Sequence, residues 1–120
     1  MASILVVDDS TTMRQMVGFT LVSAGHNVVE VADGNEAVEA AKAKRFDLVI
    51  TDVNMPGMNG IDLVRSLRAL PECQFIPMLV LTTESAQELK QRGRDAGATG
   101  WIVKPFSPDV LLATLKKVLS

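Results

Sequence analysis

The stretch DLVITDVNMPGMNG, residues 47–60, decides the fold. Leu48-Val49-Ile50 is a short apolar run, rich in β-branched residues, that stops abruptly at Thr51-Asp52. Pro56, Gly57 and Gly60 then supply turn residues. A short strand that is apolar on both sides belongs in a parallel sheet, whose strands are covered on both faces. Four runs of the same kind flank it: Ile4 to Val7, Val28-Val29 with Val31, Met78 to Leu81, and Trp101 to Val103. Their starts lie twenty to thirty residues apart, too far for hairpins and right for strand–helix–strand units.

The intervening segments carry helical spacing and helix-end signals. Thr11 to Ala24 places Met13, Met16, Val17, Leu21 and Ala24 on one face, and Gly25 follows as a C-terminal stop. Asp33-Gly34-Asn35-Glu36 reads as a capping box before Ala37, Val38, Ala40 and Ala41. Ile61, Val64 and Leu67 space a third helix, with Pro71 beyond it. Ser85-Ala86-Gln87-Glu88 reads as a second capping box, opening a helix that ends near Gly97. Ser107-Pro108 places an N-cap and a first-turn proline before Val110, Leu111, Leu115 and Val118. The order is βαβαβαβαβα over residues 1–120, one domain without repeat, linker or low-complexity segment. The fold class is α/β: an open, doubly wound, five-stranded parallel sheet with helices on both faces. Periodicity leaves the strand order open.

Composition narrows the chemistry. Apolar residues at 48% and charged residues at 22% suit a globular domain rather than a disordered chain. A net charge of −2 offers no basic excess for nucleic acid or acidic lipid. Cys73 is the only cysteine and His26 the only histidine, which excludes an intrachain disulfide and a Cys/His zinc cluster. No apolar run approaches the roughly twenty residues of a membrane helix, and Asp8-Asp9 interrupts the N-terminal run, against a signal peptide. A soluble domain of a reducing compartment is expected.

In open parallel sheets, ligands bind beyond the carboxyl ends of the strands. Four runs end there in polar groups: Asp8-Asp9, Thr51-Asp52, Thr82-Thr83 and Lys104-Pro105. Each has a plain structural alternative. Asp9 or Ser10 could cap the first helix, Asp52 could open a loop, a threonine could close a strand, and Lys104 could be a solvated charge. Their coincidence at one edge favours a site. Three clustered carboxylates repel one another and call for a cation. Magnesium prefers hard oxygen ligands and shares them with water and phosphate oxygens. A carboxylate beside such a metal can attack a phosphoryl group, with a lysine and the metal offsetting the transferred charge.

These segments resemble the CheY-like receiver domains of two-component signalling over essentially the whole chain. The resemblance rests on LVVDDSTTMR (5–14), DLVITDVNMPGMNG (47–60), PMLVLTTES (77–85), DAGATGW (95–101) and VKPF (103–106), in order. It implies strand order 2-1-3-4-5. It implies Asp52 as phosphoacceptor, and Asp9, Asp52 and the Asn54 backbone carbonyl as Mg2+ ligands. Asp8 becomes an outer acid holding metal-bound water, and Lys104 a contact to the phosphoryl group. The Lys104–Pro105 bond is expected to be cis. Thr82 and Trp101 correspond to the switching hydroxyl and aromatic, and Asn54, Thr83 and Glu84 flank the phosphoryl group. Three residues depart from the common pattern. Trp101 is bulkier than the usual Tyr or Phe, Thr83 could crowd access for phosphodonors, and Val53 stands where Trp is frequent.

The function so implied is a phosphorylation-activated switch, not an enzyme acting on external substrates. Its phosphodonor would be a chemotaxis-type, CheA-like histidine kinase. Its output surface would be the fourth helix, fifth strand and fifth helix, with a flagellar motor switch protein as candidate target and a phosphatase as a further partner. A cytoplasmic monomer without nucleic-acid or membrane partners is expected. The alternative is a phosphorelay intermediate or phosphate sink. A phosphohydrolase of the haloacid dehalogenase type is disfavoured because Asp52-Val53-Asn54 lacks that family's second Asp. An acidic edge would repel the phosphate of FMN, and no P-loop motif is present.

Overall fold

A computed structural model describes residues 1–83 and 87–119. Five strands alternate with five helices: β1 (Ser3–Val7), α1 (Thr11–Ser23), β2 (Asn27–Val31), α2 (Gly34–Ala43), β3 (Leu48–Asp52), α3 (Gly60–Arg68), β4 (Met78–Thr82), α4 (Gln87–Ala96), β5 (Gly100–Val103) and α5 (Pro108–Leu119). The strands form one parallel sheet in the order β2-β1-β3-β4-β5, the implied topology. A short 3-10 turn at Pro71–Cys73, which the sequence did not suggest, joins α3 to the approach to β4.

Alternate residues of each central strand enter two different cores, which is why the runs are apolar throughout. Leu5, Val7, Val49, Met78 and Val80 pack with residues of α2, α3 and α4. Ile4, Val6, Leu48, Ile50, Leu79 and Leu81 pack on the other face with Val17 and Leu21 of α1 and Leu111 and Leu115 of α5. Strands β3 and β4 are buried throughout, whereas the edge strands β2 and β5 are only partly covered.

Helix ends follow the sequence signals closely. Ser10 Oγ accepts from the Met13 N–H, and Gly25 takes a positive φ of 95° beyond α1. Asp33 accepts from the Glu36 N–H, but Glu36 reaches back to the Ala32 N–H, so the reciprocal half of the box is shifted by one residue. Ser107 caps α5 by accepting from the Val110 N–H. The expected cap at Ser85-Ala86 lies outside the described residues. Two expected apolar faces need correction. Met16 of α1, Ala24 at its C-cap and Val110 of α5 are exposed, because the helices turn Val17, Gly18, Leu21, Leu111 and Leu115 to the sheet instead.

Candidate functional site

The carboxyl ends of β1, β3, β4 and β5 bring Asp8, Asp9, Asp52, Thr82 and Lys104 to one edge. Asp8, Asp9 and Asp52 each present a carboxylate oxygen within 4.8 Å of the others'. Lys104 Nζ lies 3.1 Å from Asp52 Oδ1 and 3.6 Å from Asp8 Oδ2. Asp8 and Asp52 are buried, whereas Asp9 is exposed at the rim. The Lys104–Pro105 bond is cis, as the resemblance implies.

The charges do not balance. Among the described residues, three carboxylates face a single ammonium, and water reaches two of the acids poorly. Burial pushes the Asp8 carboxyl above its ordinary range, and the charges of Asp52 and Asp9 push the same way. The Ser10 N–H, donating to Asp8 Oδ1 at 2.9 Å, and the Lys104 charge oppose that rise. Asp8 Oδ2 is buried with no hydrogen-bond partner. Burying an unsatisfied anionic oxygen is costly unless a cation or donor meets it. An orphaned carboxylate oxygen inside a triad of acids is the donor chemistry of a hard divalent cation, so the residues fit Mg2+.

The loop after β3 is shaped by two glycines with different jobs. Gly57 has a φ of 78° and needs its missing side chain for the turn. Gly60 starts α3 with its N–H donating to the Val53 carbonyl, and a Cβ there would run into the Asp52 carbonyl. The α3 start therefore packs directly against the end of β3. Asn59 caps α3 by accepting from the Asp62 N–H. In sequence Gly60 reads as a turn residue; a close approach leaves no signal in one sequence beyond the glycine itself.

The remaining expected residues lie around this centre. Thr82 is buried at the end of β4, and its carbonyl accepts the Lys104 N–H at 2.7 Å. Asn54 and Thr83 are exposed beside the edge, and Glu84 lies outside the described residues. Trp101 is half-buried opposite Val80 and packs with the α2–α3–α4 core, away from α5. A Cβ on Gly93 of α4 would come within 3.0 Å of its Cζ3. Arg14, which nothing in the sequence singles out, donates from Nη1 to the Asp8 carbonyl at 2.7 Å.

An edge that gathers cation ligands around a buried carboxylate, with a lysine at hand to meet an anion, defines an α/β phosphoryl acceptor. The family model of the response regulator receiver domain matches residues 4–116, and the chain belongs to that family. It is 43% identical to chemotaxis protein CheY-3 of Vibrio cholerae over 116 residues, covering 96% of this chain and 89% of that protein. It is 39% identical to chemotaxis protein CheY of Pseudomonas aeruginosa, covering 96% and 94%. Among solved structures, Vibrio cholerae CheY4 superposes with a TM-score of 0.97 at 52% identity, covering 99% of both chains. The receiver domain of a Pseudomonas aeruginosa sensor histidine kinase, solved with magnesium coordinated in its active-site cleft, superposes at 0.91 with 29% identity, covering 98% and 97%. A receiver domain is a signalling switch served by a histidine kinase rather than an enzyme of external substrates. No helix among the described residues is long and apolar enough to cross a membrane.

Proposed function

We propose that this chain is a chemotaxis response regulator that accepts a phosphoryl group on Asp52 from a CheA-like histidine kinase. The observation that carries the reading is the setting of Asp52: buried at the end of β3, 3.1 Å from Lys104 and clustered with Asp8 and Asp9. An Asp52 carboxylate oxygen forms the new O–P bond as the P–N bond of the donor phosphohistidine breaks. The released imidazole nitrogen takes a proton from water. Lys104 meets the charge of the transferred group; Asp9, Asp52 and the Asn54 carbonyl would hold Mg2+, with Asp8 holding its water, and the ion would supply further charge neutralisation. Asn54 and Thr83 flank the phosphoryl group and govern access of donor and water.

The Thr82 hydroxyl then turns to donate to a phosphoryl oxygen, and Trp101 moves into the space released. The resulting change in the α4–β5–α5 surface is read by a partner, for which the relatives' chemotaxis names support a flagellar motor switch protein. A phosphatase would end the signal, and the cytoplasm is the compartment of such a circuit. Intact-mass analysis after incubation with acetyl phosphate and Mg2+ tests the acceptor. The wild type gains one acid-stable, alkali-labile phosphoryl group, and Asp52→Asn gains none. Equal stoichiometric labelling of both proteins would refute the assignment.

A further inference from the structure

Asp8 is anchored at all of its polar atoms but one. Its N–H donates to the Val31 carbonyl at 3.2 Å, and its Oδ1 accepts the Ser10 N–H at 2.9 Å. Its carbonyl accepts Arg14 Nη1 at 2.7 Å. Only Oδ2 is left without a hydrogen bond, and it faces Lys104 within the acidic cluster. Arg14 is itself braced. Its Nε lies 3.7 Å from Glu30 Oε1, with the Arg14 side chain 17% exposed and that of Glu30 36% exposed. Glu30 pairs with Val6 in the sheet and rises beneath α1, where Gly18 makes room for it. A Cβ on Gly18 would lie 2.5 Å from Glu30 Oε2.

We propose that Arg14, held by Glu30 over Gly18, is a positioning residue for magnesium, fixing the main chain of Asp8-Asp9 so that Asp9 meets the cation, and Asp8 its bound water, at the distances the ion requires. The inference rests on the acidic edge being a Mg2+ site. Charge alone would act in the opposite sense, since a guanidinium near a cation site weakens cation binding, and Glu30 offsets that charge. The two effects therefore predict opposite outcomes when Arg14 is removed. Magnesium demands near-ideal octahedral geometry at short distances, whereas calcium accepts longer and more variable ones. A positioning defect must therefore fall on magnesium more than on calcium.

The test is calorimetric titration of the full chain with MgCl2 and separately with CaCl2, for wild type, Arg14→Met and Arg14→Lys. Thermal melts without metal check that each variant is folded. Arg14→Met is expected to raise the magnesium Kd about tenfold, as loss of outer-shell support of metal ligands commonly does, and the calcium Kd about twofold or less. Arg14→Lys keeps the charge but loses the fork that reaches Asp8 and Glu30 together. It is expected to show the same loss of selectivity in smaller degree, and it carries the test if Arg14→Met does not fold. Equal losses for both metals would mean general loosening, and unchanged or tighter magnesium binding would mean that charge relief dominates. Either result overturns the proposal while leaving the Mg2+ site standing. Failure of the wild type to bind magnesium would overturn the site and the proposal together.

Discussion

Asp8 holds an electrostatic conflict within a single side chain: one carboxylate oxygen takes the Ser10 N–H, while the other is buried without a hydrogen bond. Burial and the neighbouring acids raise its pKa above the ordinary value of 3.8 in the folded chain. The folded state therefore holds the Asp8 proton more tightly than the unfolded state does. The stability associated with that proton is present at low pH and is lost as pH rises through the folded pKa. Metal-free protein should accordingly melt higher as pH is lowered from 7 toward that pKa. Asp8→Asn should melt higher than wild type at pH 7 and show a flatter pH profile. At this chain size about 1 kcal/mol moves Tm by roughly 4 °C, a shift calorimetry resolves readily. A wild-type profile that Asp8→Asn leaves unchanged would place the conflict elsewhere.

Among the elements, α4 differs from α3 in how it is anchored. α3 buries Gly60, Ile61, Leu63, Val64 and Leu67, whereas α4 buries only Gly93 and Ala96, both in its C-terminal half. That end is clasped from outside. The Arg68 guanidinium, at the last turn of α3, donates to the Gly97 carbonyl from Nε at 3.1 Å and from Nη2 at 2.8 Å. Its Nη1 also serves the Cys73 and Ile76 carbonyls at 2.9 and 2.7 Å. One side chain thus satisfies carbonyls from the end of α4 and from the approach to β4, groups that helix ends and loops otherwise leave to water. Arg68→Met should destabilise the fold by about 2 kcal/mol, the scale for unmaking hydrogen bonds to a charged group. Hydrogen exchange should rise at 94–99 and 74–78 well above the rise in α1. Protection lost uniformly across the chain would argue against a local clasp. A helix held at one end and lightly packed along the rest is suited to pivot, which is what the output surface of a switch requires.

Across the whole molecule, the acidic edge and Trp101 are joined by β4 and β5. Thr82 pairs with Val103 and Val80 with Trp101, so a movement at the end of β4 is two residues from the indole along the sheet. Gly93 bounds the ring on the helix side, where even a methyl group would crowd it. The indole is therefore wedged between strand and helix rather than lying loose on the surface. Beryllofluoride with Mg2+ is expected to lower acrylamide quenching of Trp101 in the wild type. Thr82→Ala should still accept phosphate at Asp52 yet show at most about half that change. Unchanged quenching in the wild type at confirmed Asp52 occupancy would mean that the signal leaves by another route.

The sequence by itself determined the α/β class and the place of the site. Strands covered on both faces must be apolar throughout, so the runs ending at Val7, Ile50 and Leu81 announce both the strands and the polar edge that follows them. Helix ends were legible for the same local reason, since Ser10, Asp33 and Ser107 each bond within a few residues of themselves. Which neighbour covers a given face was decided only by tertiary structure. Periodicity placed Met16 and Val110 on apolar faces that the packing turns outward, and it could not say that Trp101 meets α4 rather than α5. The supports of Asp8, from Val31, Arg14 and Glu30, join β1, α1 and β2. A hydrogen bond or ion pair depends on distance in space, and only the sheet order and the seating of α1 over β2 create those distances.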